Sequence, residues 1–459
     1  MDIGAIRQPS GIEIGLLLLA CYLVILVFIF NQMNLIPAFL INIILSGLYG
    51  LRLGLTWPQV EKRLADRAGE TFISFFILLL IGLSIAAWIA AGVLPALLYY
   101  GVAFVLPRFY LGEAFIISFI TAVALGSTVG ALGTVGIILL SIGVTFNIPQ
   151  PLAGGAIISG AIAGNILSPL SEMVVLAMAV TRGNLRDHLF HSGRIIIIAV
   201  AIAFFLYSLI NIFWFQTGFE TAIGQIQNEI MVRYTISPLL VLPPIMILVL
   251  SITRIPLPLT LFLNMLISVL LGFLLQPGFA LQQVLVVISG SSVLTGVEFL
   301  DSLLTRGSID NYTSVAVMML LASAWGMLLQ ELGVVEKALG WLLKRNNSPR
   351  DLMLTALATA FLIGVITCAV VPGIVIAGTC FREKFIQARL NTANLSRVIL
   401  EGTLACAPFF PWTNLTFMIQ AALGINPLSS APYYFTGWLV PLVSILAISF
   451  CKDQKSWRG

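Results

Sequence analysis

The sequence predicts an all-α polytopic membrane protein made of two inverted repeats, each of about five transmembrane helices plus one re-entrant hairpin, with proline-broken helices at the midplane. Three observations lead there. The chain is 59% hydrophobic and 9% charged, where a soluble domain carries about 25% charged residues. Apolar runs close to the ~20 residues that span a bilayer recur along its length. Two of these runs, one in each half, hold prolines and polar side chains in their middle. The alternating pattern of a membrane barrel is absent, so the crossings are helical.

No polar stretch is long enough for a separate soluble domain. The net charge of +4 comes from loop lysines and arginines and is no nucleic-acid footprint. The five cysteines (Cys21, Cys368, Cys380, Cys406 and Cys451) lie in or beside apolar segments, which argues against a disulfide framework. The expected surroundings are a lipid bilayer and a small ion or solute, with no nucleic acid and no cofactor; a homodimer is compatible with the pattern.

In chain order, residues 14–31 and 35–51 read as crossings. The first lacks a small-residue cleavage site and reads as a retained helix. A charged loop with Arg52, Lys62, Arg63 and Arg67 follows, then a crossing at 72–92. Residues 93–107, short and bounded by proline, read as an interfacial helix. Residues 113–147 hold GSTVGALGTVG between apolar halves each too short to cross, the pattern of a re-entrant hairpin. A broken helix at 153–179 precedes a basic loop with Arg182, Arg186 and Arg194, and 195–215 crosses. After a polar loop at 216–236 the order repeats. Crossings fall at 237–252, 258–276 and 313–330, with a loop of mixed polarity between the last two. An amphipathic stretch covers 332–345, a second hairpin 352–381, a second broken helix 398–424, and a final crossing 433–451.

AAGVLPALLYYG (90–101) parallels ELGVVEKALGWL (331–342), and Ser168-Pro169 falls near Ala407-Pro408 when the halves are overlaid. The repeats are therefore set at 1–225 and 226–459. An odd number of crossings per half inverts the second relative to the first. With the N-terminus in the cytoplasm, all of the 23 lysines and arginines except Arg108, Arg233 and Arg306 fall on the cytoplasmic side, as the positive-inside rule requires. Both termini are then cytoplasmic, in a bacterial-type inner membrane.

The residues able to carry chemistry cluster at the breaks. Pro169 interrupts a helix that also carries Asn165, Ser168, Ser171 and Glu172. Proline gives no N–H and clashes with the preceding turn, and a carboxylate at membrane depth survives by facing a cavity, an ion or a partner. Glu172 has no basic residue at its depth. It either exchanges cation and proton or stays protonated as a structural acid. Glu401, in the second broken helix, has Arg397 one turn before it, so it is either a second site acid or one half of an i,i+4 ion pair.

A hard cation such as Na+ prefers oxygen ligands. Ser127, Thr128 and Thr134 of the glycine-rich stretch supply them beside unwound backbone, although small residues also serve close helix packing. Thr128, Asn165 and Glu172 form the candidate Na+ set. In the second half the candidates are Thr403, Trp412, Thr413 and Asn414; Trp412 either walls a cavity or belongs to an interfacial belt. His188 and His191 fall in the basic loop, where a solvated position is the simpler reading and a pH sensor the sharper one. No metal cluster, phosphate loop or nucleophilic triad is visible, and nothing in the sequence points to an enzyme.

GSTVGALGTVG (126–136), GAIISGAIAGNILSPLSE (155–172) and NLSRVILEGTLACAPFFPW (394–412), in that order, resemble the NhaC-type Na+/H+ antiporter family of the ion transporter superfamily. The resemblance covers nearly the whole chain. It implies inverted repeats with re-entrant hairpins and exchange of Na+ for H+; some members exchange organic acids. Several ionisable positions of the family are neutral here. Asn165 and Ile166 stand where it usually has an Asp-Lys pair, Ala369 where the second hairpin often carries an acid, and Leu400 beside Glu401 where it has adjacent acids. The function expected is a secondary antiporter of Na+ and H+; the alternative is a Na+- or H+-coupled carrier of an organic acid or amino acid.

Overall fold

The computed structural model describes residues 7, 9–214, 219–253, 255–289, 309–343 and 348–450, and among them all regular structure is helical. Arg254, Arg306, Lys344, Arg345, Cys451, Lys452, Lys455 and Arg458, part of the charge and cysteine pattern above, lie outside the described residues. Among the described residues, eight helices are long and apolar enough to cross a bilayer, or up to eleven if each of three sharply bent pairs is one span. Large apolar side chains face outward along their length, Phe30 and Phe213 being 82% exposed. Such a surface belongs in lipid, and the chain is an integral membrane protein.

The first helices build a scaffold. Helix α1 (Gly11–Phe30) opens on a capping box between Ser10 and Glu13, and Glu13 also meets Arg7 at 3.1 Å and Arg52, at the end of α2 (Ile36–Arg52), at 3.3 Å. The charged loop expected next is instead the start of α3 (Trp57–Ala90), a helix of 34 residues. Thr56 and Gln59 cap it, and Pro58 sits in the first turn, where proline is tolerated. Lys62, Arg63 and Arg67 are thus helical positions. At Gly92 the chain turns by 76° into α4 (Val93–Phe104), whose first half, Val93–Leu98, is buried in protein.

The glycine-rich segment forms α5 (Tyr110–Leu125) and α6 (Thr128–Thr145), the latter with a π turn over Leu132–Gly136. The halves expected to be too short to cross measure 19 residues for Pro107–Leu125 and 18 for Thr128–Thr145, because the helix resumes directly after Gly126 and Ser127. The predicted broken helix is α7 (Gln150–Leu167) and α8 (Glu172–Thr181), parted at residues 168–171. The basic loop shrinks to a turn, since α9 (Leu185–Trp214) begins at Leu185, where the Asn184 side chain caps the Arg186 amide at 2.9 Å. Arg186, His188, His191 and Arg194 are helical. The polar loop at 216–236 likewise contains a helix, α10 (Phe219–Arg233).

In the second half, α11 (Leu242–Ile252), α12 (Leu257–Leu275) and α13 (Leu281–Ile288) precede α14 (Ile309–Glu331) and α15 (Val334–Leu343). Helices α16 (Pro349–Ile366) and α17 (Val370–Gln387) occupy the second hairpin region. The second broken helix is α18 (Thr392–Thr403) and α19 (Asn414–Leu423), and α20 (Phe435–Phe450) closes the chain.

The helices gather into two groups. Helices α2, α3, α12 and α14 pack on one another, pinned by hydrogen bonds from Trp88 Nε1 to Asn264 Oδ1 (2.7 Å) and Trp325 Nε1 to Ser46 Oγ (3.1 Å). The other group joins α5, α7, α8 and α9 to α16, α17, α18 and α20. Within it, Tyr207 of α9 bonds Ser159 of α7 and the carbonyl of Tyr433, both at 2.6 Å. The two groups meet along α19, which touches α14 and α3 on one side and α6 on the other.

Candidate functional site

Each broken helix is laid over a helix junction. In the first half α5 ends at Gly126, with φ +66°, and Ser127 caps α6. A side chain at Gly126 would strike the backbone carbonyl of Leu170 in the break. Ser168 Oγ donates to Val123 O at 2.6 Å, and Asn165 Nδ2 donates to Thr128 Oγ1 at 2.9 Å. In the second half α16 ends with Cys368 at φ +58°, Ala369 starts α17, and the Asn414 amide donates to Cys368 O at 2.8 Å. Close packing repeats with the same spacing. A Cβ on Gly164 would meet Phe119 O and the Ala122 side chain; one on Gly402 would meet Leu357 O and the Ala360 side chain.

Between the junctions lies a cavity of about 290 Å3, lined by Ser127, Thr128, Asn165, Glu172, Ala369, Val370 and Asn414 among others. Its remaining wall comes from the scaffold group: Ile77, Leu257, Ser323 and Met327. It adjoins a second cavity of about 510 Å3, reaching Val175, Leu185 and Ile255, and the two share Gly126, Ser127, Glu172 and Leu257. Among the described residues lining either cavity, Glu172 is the only ionisable side chain.

Glu172 is the first residue of α8, capped by Ser171, and the helix dipole there favours a negative charge. The sequence placed this carboxylate in a buried setting; the structure leaves its side chain exposed, at the junction of the two cavities. The difference arises because the chain unwinds before Glu172, so the acid opens a new helix at the cavity wall. Beside it, the amide oxygens of Asn165 and Asn414 are buried with no hydrogen-bond partner. Their Nδ2 groups are engaged, Asn165 on Thr128 and Asn414 on Ser323 Oγ at 2.6 Å.

The other expected site residues lie elsewhere. Thr134 donates to Gly130 O at 2.7 Å and borders a separate void of about 10 Å3 under Trp88. Thr403 and Thr413 border another void of about 10 Å3 behind the second junction. Thr413 and Ser171 are helix caps. Trp412 packs against Tyr22 with the rings tilted by 49° and centroids 5.3 Å apart, and its Nε1 donates to Val365 O at 3.3 Å. It braces the site from outside the cavity lining. Glu401 is fully buried and forms the ion pair with Arg397 at 3.4 Å, while Ser444 Oγ donates to its other oxygen.

Two features escaped the sequence reading. Ser323, the partner of Asn414, lies 91 residues away in a helix with no local signal. His188, read as a loop residue, is fully buried between α9 and α18, 2.8 Å from Ser396 Oγ and 3.3 Å from Ser192 Oγ. A signal existed: His188, Ser192, Ile196, Ala199, Ala203 and Tyr207, spaced by three or four, form one buried stripe. His191 is half-buried on the same helix.

A family model described as the Na+/H+ antiporter family matches residues 160–451. The chain is 26% identical to a malate-2H(+)/Na(+)-lactate antiporter of Bacillus subtilis, over 96% of this chain and 95% of the relative. It is 30% identical to the arginine/ornithine antiporter ArcD of Halobacterium salinarum, over 86% of this chain and 82% of the relative. A Na(+)/H(+) antiporter NhaC of Alkalihalophilus pseudofirmus is 25% identical over 88% and 87%.

Proposed function

Because the chain belongs to the Na+/H+ antiporter family, we propose that the paired cavities are its translocation site and that Glu172 is the carboxylate at which cation and proton compete. The protein is a secondary antiporter. The observation that carries the site is the placement of Glu172, the only ionisable side chain among the described lining residues, where the two cavities join. Na+ would find oxygen there from the carboxylate, from the unpartnered Asn165 Oδ1 and from the Thr128 hydroxyl. A cation or a proton on Glu172 cancels the same charge, so each displaces the other.

The halves 1–225 and 226–459 act as inverted repeats, each with a broken helix laid over a junction between two helices. The matched left-handed residues at Gly126 and Cys368 and the matched contacts at Gly164 and Gly402 support this reading. Movement of the broken-helix group against the scaffold group would open the inner cavity to alternate sides. In proteoliposomes an imposed Na+ gradient should drive proton movement, and Glu172→Gln should lower the rate at least about a hundredfold, as expected when a group essential to the step is lost. Undiminished flux in that variant would refute the assignment.

A second reading, exchange of an organic acid or amino acid coupled to Na+ or H+, is favoured by the size of the inner cavity. About 290 Å3 exceeds what a cation in direct contact with protein oxygens fills. Two of the relatives are named for organic solutes.

A further inference from the structure

We infer that the second break carries the closed gate of the translocation path. Two hydrogen bonds, Asn414 to Ser323 and Tyr22 to Val365, tie that end of the inner cavity to the scaffold, and both part when the cavity opens there. This rests on the reading of the cavity as the translocation site.

The two ends of the inner cavity differ. At the first junction it adjoins the outer cavity of about 510 Å3. Its lining residues at the second junction, Ala369, Val370 and Asn414, and those of α14, Ser323 and Met327, do not reach that outer space. Ala369 and Val370 border instead a void of about 10 Å3. In the inverted arrangement proposed above, the two ends face opposite sides of the membrane.

The breaks are built alike, which isolates what differs between them. Ser171 and Thr413 are matching N-caps, so Glu172 and Asn414 open matching helices. The first break bonds to Val123, to Thr128 and within itself; among the described residues it has no hydrogen bond to α2, α3, α12 or α14. Asn414 Nδ2 donates to Ser323 Oγ of α14 at 2.6 Å. Three residues further on, Val175 is exposed on the outer route. Its counterpart Phe417 is 1% exposed and meets Phe39 of α2 edge-on, with centroids 6.0 Å apart.

A second bond crosses the same boundary. Tyr22 of α1, a helix that packs on α2, donates its hydroxyl to Val365 O in the last turn of α16, at 3.0 Å. The Trp412 indole donates to the same oxygen. The Tyr22 ring lies against Trp325 of α14 and Trp412 of the break, with centroids at 5.7 and 5.3 Å. This aromatic layer keeps water from the bonds it surrounds, and a hydrogen bond is stronger in such a medium. Ser323 and Tyr22 lie on the scaffold side, Asn414 and Val365 in the broken-helix group. Movement of one group against the other breaks both bonds and spares those inside either group, such as Trp325 to Ser46. Each crossing bond then weights the described form over the alternate one by about fivefold.

The test reads the alternate form by thiol accessibility in the full-length protein carrying Cys451→Ser. Met327→Cys and, separately, Met418→Cys report from the wall of the inner cavity; neither side chain takes part in the two bonds. Val175→Cys first identifies the membrane face reached by the outer cavity. A membrane-impermeant maleimide is then applied from the opposite face, with intact cells or inside-out vesicles as required. Ser323→Ala and Tyr22→Phe each delete one bond. Each should raise the labelling rate of the reporters from that face about fivefold, and the pair should raise it further. Ser46→Ala deletes a bond of 3.1 Å inside the scaffold and should leave the rate unchanged. Reporters that gain no reactivity from that face in Ser323→Ala and Tyr22→Phe overturn the gate. So does an equal gain in Ser46→Ala, the mark of general loosening. In either case, a loss of exchange in Glu172→Gln leaves the translocation reading standing without the gate. Undiminished exchange in Glu172→Gln refutes the translocation reading, whatever the labelling shows.

Discussion

Glu172 and Glu401 occupy matching broken helices but opposite surroundings. Glu401 is fully buried between Arg397 and Ser444, and its charge is neutralised within the protein. Removing one partner strands the other in a low dielectric, at a cost of about 3–5 kcal/mol. Arg397→Met should therefore depress the melting temperature strongly, while Arg397→Met combined with Glu401→Met recovers most of the loss. Glu172 heads an uncrowded helix terminus at the cavity wall. Glu172→Gln forfeits only a dipole interaction of about 0.3–1 kcal/mol. Its melting curve should nearly overlay that of the parent, so a loss of flux in this variant reports on the transport step. The pairing of Glu401 with Arg397 was legible in the sequence from their i,i+4 spacing. The exposure of Glu172 was not, because it depends on where the unwound chain meets the α5–α6 junction, a contact between distant segments.

At the scale of elements, the breaks were the legible features. Proline and clustered caps interrupt a helix wherever the rest of the chain lies, and both predicted breaks occur, at 168–171 and between Thr403 and Asn414. Loop lengths were not legible. Charge was read as the end of a helix, yet α3 and α9 carry their basic residues as helical turns beyond the apolar run; hydropathy marks the edge of the bilayer, whereas capping sets the edge of the helix. The α5–α6 junction allows a direct test. Gly126 combines φ +66° with contact to the Leu170 carbonyl. Gly126→Ala should cost at least about 1–2 kcal/mol for the left-handed backbone alone, and more once the broken helix is displaced. Gly15→Ala on α1, with no neighbouring atom within 4 Å, should be neutral or stabilising by up to about 1 kcal/mol. Detergent melting curves of the two variants should shift in opposite directions, or only the first should shift.

For the whole molecule, the decisive relation is that between the two helix groups. The inner cavity takes one wall from α3, α12 and α14 and the other from the two junctions, so any relative movement of the groups changes access to it. The outer cavity leads away past Val175, Leu185 and Ile255, in the segments around the α8–α9 turn that the positive-inside pattern of the sequence expects on the cytoplasmic side. The described form would then face inward. Val175 lines that route and is exposed, while among the described cysteines Cys21, Cys368 and Cys406 are buried and Cys380 is half-buried, so the protein with Cys451→Ser serves as the parent and the blank. Val175→Cys should react with a membrane-impermeant thiol reagent in inside-out vesicles and stay protected in intact cells. If the groups rock about the cavity, an outward Na+ gradient should change that rate in the parent background but not when combined with Glu172→Gln, because the gradient acts through the site it loads. Labelling from the outer face would reverse the assigned orientation. A rate insensitive to Na+ in the parent background, where Glu172 is intact, would separate the outer cavity from the transport cycle.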